Sequence, residues 1–199
     1  MKTLLTSKIT LVILFLLTFS TAMCKESDFY VNVKQDTVWG SIKATDNTWI
    51  KFKEENKADY EKISIDQIKE YYKSEDKTHC YAMTLPGSSK PKFLALLEEG
   101  AINLYEVSSF SNAFNTTSNI VQWYTSKNNS TLEEVKANLY SVKKSKDERN
   151  EVFYDLFKDD YELFYDVKKF ANLEFGQMRE WIKKYNDKQY SKDRLIAQN

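Results

Sequence analysis

The sequence predicts an α+β protein: a twisted antiparallel β-sheet of about seven to nine strands, sandwich-like or half-barrel in curvature, followed by three short C-terminal helices. Three observations predict it. From Asp28 to about Val107 the apolar residues recur every second position. From Val152 onward they recur at helical spacing. Strand patterns come as one block and helix patterns as another, without the alternation of a parallel α/β sheet.

The N-terminus comes first in the chain and has its own logic. Lys2 and Lys8 precede an apolar run from Ile9 to Phe19, and the small residues Ser20, Thr21 and Ala22 follow. That is the layout of a secretory signal peptide over residues 1–22, too short to span a bilayer. The expected location is extracytoplasmic: periplasmic, outer-membrane associated or secreted. Cleavage after Ala22 leaves Met23 as the new terminus, and lipoprotein processing would cut before Cys24. Cys24 is therefore lipidated, paired with Cys80 or free; these are the chain's two cysteines, and they make no disulfide framework. A lipid on Cys24 is the one membrane attachment the sequence suggests.

Residues 28–187 are expected to form one domain, mainly β over 28–143 and helical over 148–187, with a frayed polar tail over 188–199. Phe29, Val31 and Val33 alternate with polar neighbours, turn at Lys34–Asp36, and continue as Val38, Gly40 and Ile42. A turn at Thr45–Asn47 leads to Ile50 and Phe52, with Ile42 expected opposite Ile50 and Phe52 opposite the bare Gly40. Further strands are expected over Glu61–Ser64, Gln67–Lys73 and Thr78–Met83. The stretch KFLALLEEGAINLYEV reads as a hairpin whose turn uses Gly100 at a positive φ. Its first strand is apolar on both faces and should be central. The Ser, Asn and Thr-rich residues 108–119 read as a loop, and Ile120–Thr125 and Ala137–Lys143 as two more strands. Val152 to Phe157, Leu163 to Phe170 and Phe175 to Tyr185 carry three helical stripes, with Asp159 or Asp160, and Asn172, as expected N-caps.

Composition and motifs exclude several chemistries. Without Lys2 and Lys8 the net charge is about −2, so nucleic acid is not an expected partner. The single His79 and its neighbour Cys80 point to opposite faces of a strand, so they cannot form a nucleophile–base pair. They also provide too few ligands for a zinc site. Gly40, Gly87, Gly100 and Gly176 stand apart, and no phosphate-cradling loop or Gly-x-Ser-x-Gly elbow is present. No cofactor or metal is implied. Glu98 with Glu99, and Asp159 with Asp160, are paired carboxylates of the type glycosidases use, but they stand where a hairpin shoulder and a helix cap are expected. Asn115, Asn128 and Asn129 lie in Asn-x-Ser/Thr sequons.

The compositional excess is aromatic, with 13 Tyr, 12 Phe and 4 Trp. Trp39 and Trp49, flanked by Lys43, Lys51 and Lys53, either form a platform that stacks sugars or anchors a partner, or lie in the core beneath the helices.

QDTVWGSI at Gln35–Ile42, FLALLEEGAINLYEV, and the tail segments FKDDYELFYDVKKF and FGQMREWIKKYN together resemble a group of exported proteins of Bacteroidota. In that group an N-terminal hairpin reads Asn-Gly-Asp-Thr-Ile-x-Gly-x-Ile and a helical tail ends in Tyr-Asn. Here Lys34-Gln35 replaces the Asn-Gly turn, and Tyr161 stands where a proline often follows the paired aspartates. The resemblance implies an exported α+β protein and supplies no catalytic residue. The resulting expectation is a non-catalytic binding or scaffolding component of the envelope or extracellular space, whose partner is an envelope protein or a glycan. The rival is a carboxylate-dependent enzyme acting on envelope glycans or other polymers.

Overall fold

The computed structural model describes residues 27–113, 116–138 and 144–196. The expected signal peptide, Cys24, Asn115 and residues 139–143 of an expected strand lie outside the described residues.

The fold is α+β. Ten strands form one open antiparallel sheet: β1 Asp28–Asn32, β2 Thr37–Asp46, β3 Trp49–Glu54, β4 Glu61–Ser64, β5 Ile68–Lys73, β6 Thr78–Thr84, β7 Pro91–Glu98, β8 Ile102–Ala113, β9 Thr116–Lys127 and β10 Glu133–Ala137. Their spatial order is β10-β9-β8-β7-β6-β5-β1-β2-β3-β4. Helices α1 (Lys146–Asp155), α2 (Tyr161–Lys168) and α3 (Phe175–Ile196) follow.

The alternation of the strands gives the sheet an inner and an outer face. Tyr30, Ile42, Ile50, Phe52, Tyr71, Cys80 and Phe93 point inward and form one buried cluster. The sheet curls over this cluster. Asn47, in the β2–β3 turn, accepts a hydrogen bond from Phe93 N at 2.9 Å, and its side chain donates to Ser108 O at 2.8 Å. Farther along the same face, Ile102, Leu104 and Trp123 meet Phe153, Phe157, Leu163, Val167, Met178, Ile182 and Tyr185 of the helices. The helices thus cover one end of the inner face and the curl covers the other. Each such fully buried large side chain stabilises by about 1.5–3 kcal/mol relative to exposure. As expected for a central strand, β7 is buried on both faces, with Phe93 inward and Leu94 outward against Tyr105 and Tyr124.

Several local expectations need correction. Ile42 pairs with Phe52, not Ile50, and Gly40 with Glu54. The cause is a bulge at Lys43 and a tight Asn47-Thr48 turn, where Asp46 Oδ1 accepts from Thr48 N at 3.1 Å. Phe52 still covers Gly40, since a Cβ there would lie 2.7 Å from Phe52 Cζ and 2.1 Å from Lys53 O. Gly100 does not adopt a positive φ, unlike Gly87 at 68°. It is required for a different reason: a Cβ would lie 2.5 Å from Asn186 Cγ of α3. The β1–β2 connection is the four-residue stretch Val33–Asp36, closed by Asn32 N donating to Asp36 O at 3.0 Å, and in it Gln35 alone takes a positive φ of 74°.

Residues 108–119 are not a loop. Ser108 to Ala113 pair with Val121 to Thr116 as the continuation of the β8–β9 ladder, where Thr116, Thr117, Ile120 and Val121 are strand-favouring residue types. Strand β10 ends at Ala137, and the strand expected over Ala137–Lys143 falls mainly on residues outside the described ones. Ser145 and Glu148 form a capping box on α1. Asp160 caps α2, accepting from Leu163 N at 3.3 Å. Asn172 is not the cap: α3 starts at Phe175, three residues later, and Glu174 before it holds the cap position, with Met178 N bonding Glu174 O and Gln177 Oε1 accepting from Glu174 N. Helix α3 runs on to Ile196, through the segment expected to fray. Lys188 holds it there, 2.7 Å from Asp160 and 3.3 Å from Glu162.

Candidate functional site

Strands β2, β1, β5 and β6 lie side by side, and their outward positions carry rings. Period-two alternation places Trp39, Phe29, Tyr72 and His79 in one line across them. Ring centroids are 5.1 Å apart for Trp39 and Phe29, 5.6 Å for Phe29 and Tyr72, and 6.2 Å for Tyr72 and His79. Tyr81 stacks on His79 at 4.6 Å and touches Tyr105 at 6.2 Å, so the row extends toward β8. Glu70 stands beside it, with Oε2 3.4 Å from His79 Nε2. Burial and the nearby Glu70 carboxylate push the Tyr81 phenol up to about 12. The helices sit on the opposite face, so the row is uncovered at its Trp39 end, where the indole is 50% exposed.

The other expected site residues lie on the same outer face at the sheet edge. Trp49 is half-buried beneath Lys62 Nζ, 4.4 Å from the ring. Lys43 and Lys53 both reach over Tyr60, at 5.6 and 5.5 Å. Lys51 is exposed and pairs directly with Lys62 across β3 and β4. The structure does not bring the two tryptophans together. Trp39 O accepts from Glu55 N at one end of the β2–β3 ladder, whereas Trp49 pairs with Asp46 at the other. With strands rising about 3.3 Å per residue, that separates them by about 20 Å.

Cys80 is inward and buried. Its thiol meets the Tyr71 hydroxyl, and burial pushes it up to about 11. Both line a cavity of about 530 Å³ between the β2–β3 turn and strands β5 to β8, together with Asp46, Lys92, Phe93 and Glu106. Its carboxylates are already engaged: Asp46 accepts from Thr48 N and Oγ1, and Glu106 from Trp123 Nε1 at 2.9 Å and Ser108 Oγ at 3.2 Å.

No protein-family model, curated protein or solved structure matches the chain.

Of the paired carboxylates of the sequence, Glu98, Asp159 and Asp160 are also engaged. Glu98 accepts from Arg179 Nε at 2.5 Å. Asp159 accepts from Lys127 Nζ at 2.6 Å and Tyr185 Oη at 2.7 Å. Burial would raise the Asp159 pKa, but these two bonds outweigh it and hold the carboxyl below its ordinary value. Sequence reasoning missed Phe29, Tyr72 and Tyr81 as members of a row, Lys62 as the neighbour of Trp49, and Tyr60 as the neighbour of Lys43 and Lys53. The parity of each strand was readable. The strand order β2-β1-β5-β6, which brings those parities into line, was not.

Proposed function

We propose that this chain is a non-catalytic binding protein of the cell envelope or extracellular space, and that its outer sheet face holds a glycan chain. The observation that carries the reading is the row of rings from Trp39 through Phe29 and Tyr72 to His79 and Tyr81, on rigid adjacent strands that the helices leave open. Pyranose rings present apolar C–H faces, and a line of aromatic rings on adjacent strands, ending in the half-exposed Trp39 indole, offers matching surface at little conformational cost. A charged residue and hydroxyls beside the row, Glu70, Tyr72 and Tyr81, supply orienting hydrogen bonds. The signal-peptide layout of residues 1–22 and the resemblance to exported proteins support the location. That Glu98, Glu106, Asp159 and Asp160 are each held by neighbouring donors supports binding over carboxylate catalysis.

The test is a glycan array probed with the protein lacking residues 1–22, followed by affinity measurement on Trp39→Ala. The expected result is glycan binding by the wild type and at least about a tenfold loss in the variant, with Tm lowered by no more than a few degrees. No glycan bound, or binding indifferent to Trp39→Ala, overturns the reading.

A further inference from the structure

We propose that the glycan is acidic, and that Lys43, Lys51, Lys53 and Lys62 at the β2–β4 end of the outer face bind its anionic groups. This rests on the reading of the outer face as a glycan surface and names the class of glycan.

The argument starts from an imbalance of charge. The outward positions of β3 and β4 bring Lys51 and Lys62 directly opposite each other, and Lys53 lies one outward step along β3. Like charges facing across a strand pair are destabilising, so folding alone disfavours this arrangement. None of these lysines has an ion pair among the described residues. Several carboxylates of these strands and their connections are committed elsewhere: Glu54 and Glu61 share Lys57 at 2.9 and 3.4 Å, Asp46 accepts from Thr48, and Asp66 accepts from Ser64 Oγ. Three of the amines instead lie over rings, Lys62 on Trp49 and Lys43 and Lys53 on Tyr60. A ring attracts an ammonium weakly and leaves its remaining donors free for an anion.

The geometry favours a polysaccharide over other polyanions. Lys51 and Lys53 are about 7 Å apart along one strand, a spacing that suits charges repeated along an extended chain. The rings of Trp49 and Tyr60 are interleaved with the amines, so one surface offers stacking for sugar rings and cations for their uronate, sulfate or phosphate groups. The same face continues through β2 to Trp39, which gives a long chain a second contact.

The experiment measures binding to polygalacturonate, to its methyl ester, to heparin and to poly(glycerol phosphate), at low and high salt, with polyglutamate and vesicles containing phosphatidylglycerol as non-glycan anions. The expected result is binding to at least one acidic polysaccharide that weakens at least tenfold in high salt and in Lys51→Glu. The methyl ester should bind no better than the salt-weakened complex. Lys51→Glu turns the Lys51–Lys62 clash into an attraction, so its Tm should equal or exceed that of the wild type, and loss of binding cannot then be ascribed to unfolding. Neutral glycans bound as tightly as acidic ones would overturn this proposal and leave the binding reading standing. No glycan bound would overturn both. Equal affinity for polyglutamate or for the vesicles would replace the acidic glycan with a general polyanion or a lipid surface.

Discussion

Asn186 shows how one side chain can fasten a helix to a sheet. Its Oδ1 accepts from Ile102 N at 2.9 Å and its Nδ2 donates to Ile102 O at 2.8 Å, so the amide takes the place of a neighbouring strand at the start of β8. Gly100 makes room for it. Gly100→Ala is expected to cost about 1–3 kcal/mol through overpacking. Asn186→Leu should cost a similar amount by leaving the Ile102 amide and carbonyl unpaired. The two effects share one contact, so denaturation of Gly100→Ala, Asn186→Ala and the double variant should show clear non-additivity, with Gly100→Ala nearly neutral once Asn186 is gone. Additive losses would mean that Gly100 answers to the turn and not to α3. The other residue-scale prediction concerns Cys80. Burial beneath Tyr71 raises its pKa to about 11, so almost no thiolate is present at pH 8. Peptide mass mapping after iodoacetamide treatment should show Cys80 unmodified in the folded protein and modified in denaturant. Rapid labelling of the native protein would place the thiol in open solvent.

At the scale of elements, the α1–α2 connection is held by charge. Asp159 gathers Lys127 from β9 and Tyr185 from α3, and Lys127 also donates to Leu156 O at 2.6 Å. One carboxylate therefore ties three elements together. The folded pKa of Asp159 is depressed, so its contribution is present above its unfolded value and is lost as pH falls through its folded one. Asp159→Asn should lower Tm at pH 7, and the deficit should start to shrink below about pH 4, where the unfolded chain takes up the proton first, and close as the folded carboxyl itself is protonated. A deficit constant from pH 7 to pH 3 would show that shape matters there and charge does not. This connection also shows what was legible. Asp160 as a cap could be read from its place before Leu163 and Val167, because capping is local. Asn172 failed as a cap since the start of α3 is set by Gln177 reaching back to Glu174, and by Lys146 from α1 occupying the Asn172 side chain. The strands of the apolar block were readable from alternation. The 108–119 ribbon was not, because Ser and Asn favour turns, and the long β8–β9 ladder overrides that local preference. For the candidate site, Trp39 and the lysines could be named, whereas the row of rings depends on β1 lying between β2 and β5, a pairing no local pattern reveals.

At the scale of the whole molecule, two buried clusters occupy the two ends of one sheet face, the curl around Phe52 and the helix layer around Phe157. Whether they act as one unit depends on the strands between them. Ala95 pairs with Cys80 on one side and with Glu106 on the other, and Glu106 bonds Trp123 at the edge of the helix cluster. The link is thus backbone ladder plus a part-buried hydrogen bond, running beside the cavity that Asp46, Cys80 and Glu106 line. Helices α1 and α2, with 10 and 8 residues, are also too short to persist alone. Both arguments predict a single cooperative transition. The chain carries its own reporters: Trp39 and Trp49 lie at the curl end, Trp123 and Trp181 at the helix end. Replacing either pair with Phe leaves fluorescence that reports one end alone, and urea curves for the two variants should each coincide with helical circular dichroism measured on the same sample. If fluorescence from Trp39 and Trp49 outlasted the loss of helix, the curled sheet would be a separate folding unit, and the outer face could keep its binding geometry without the helices.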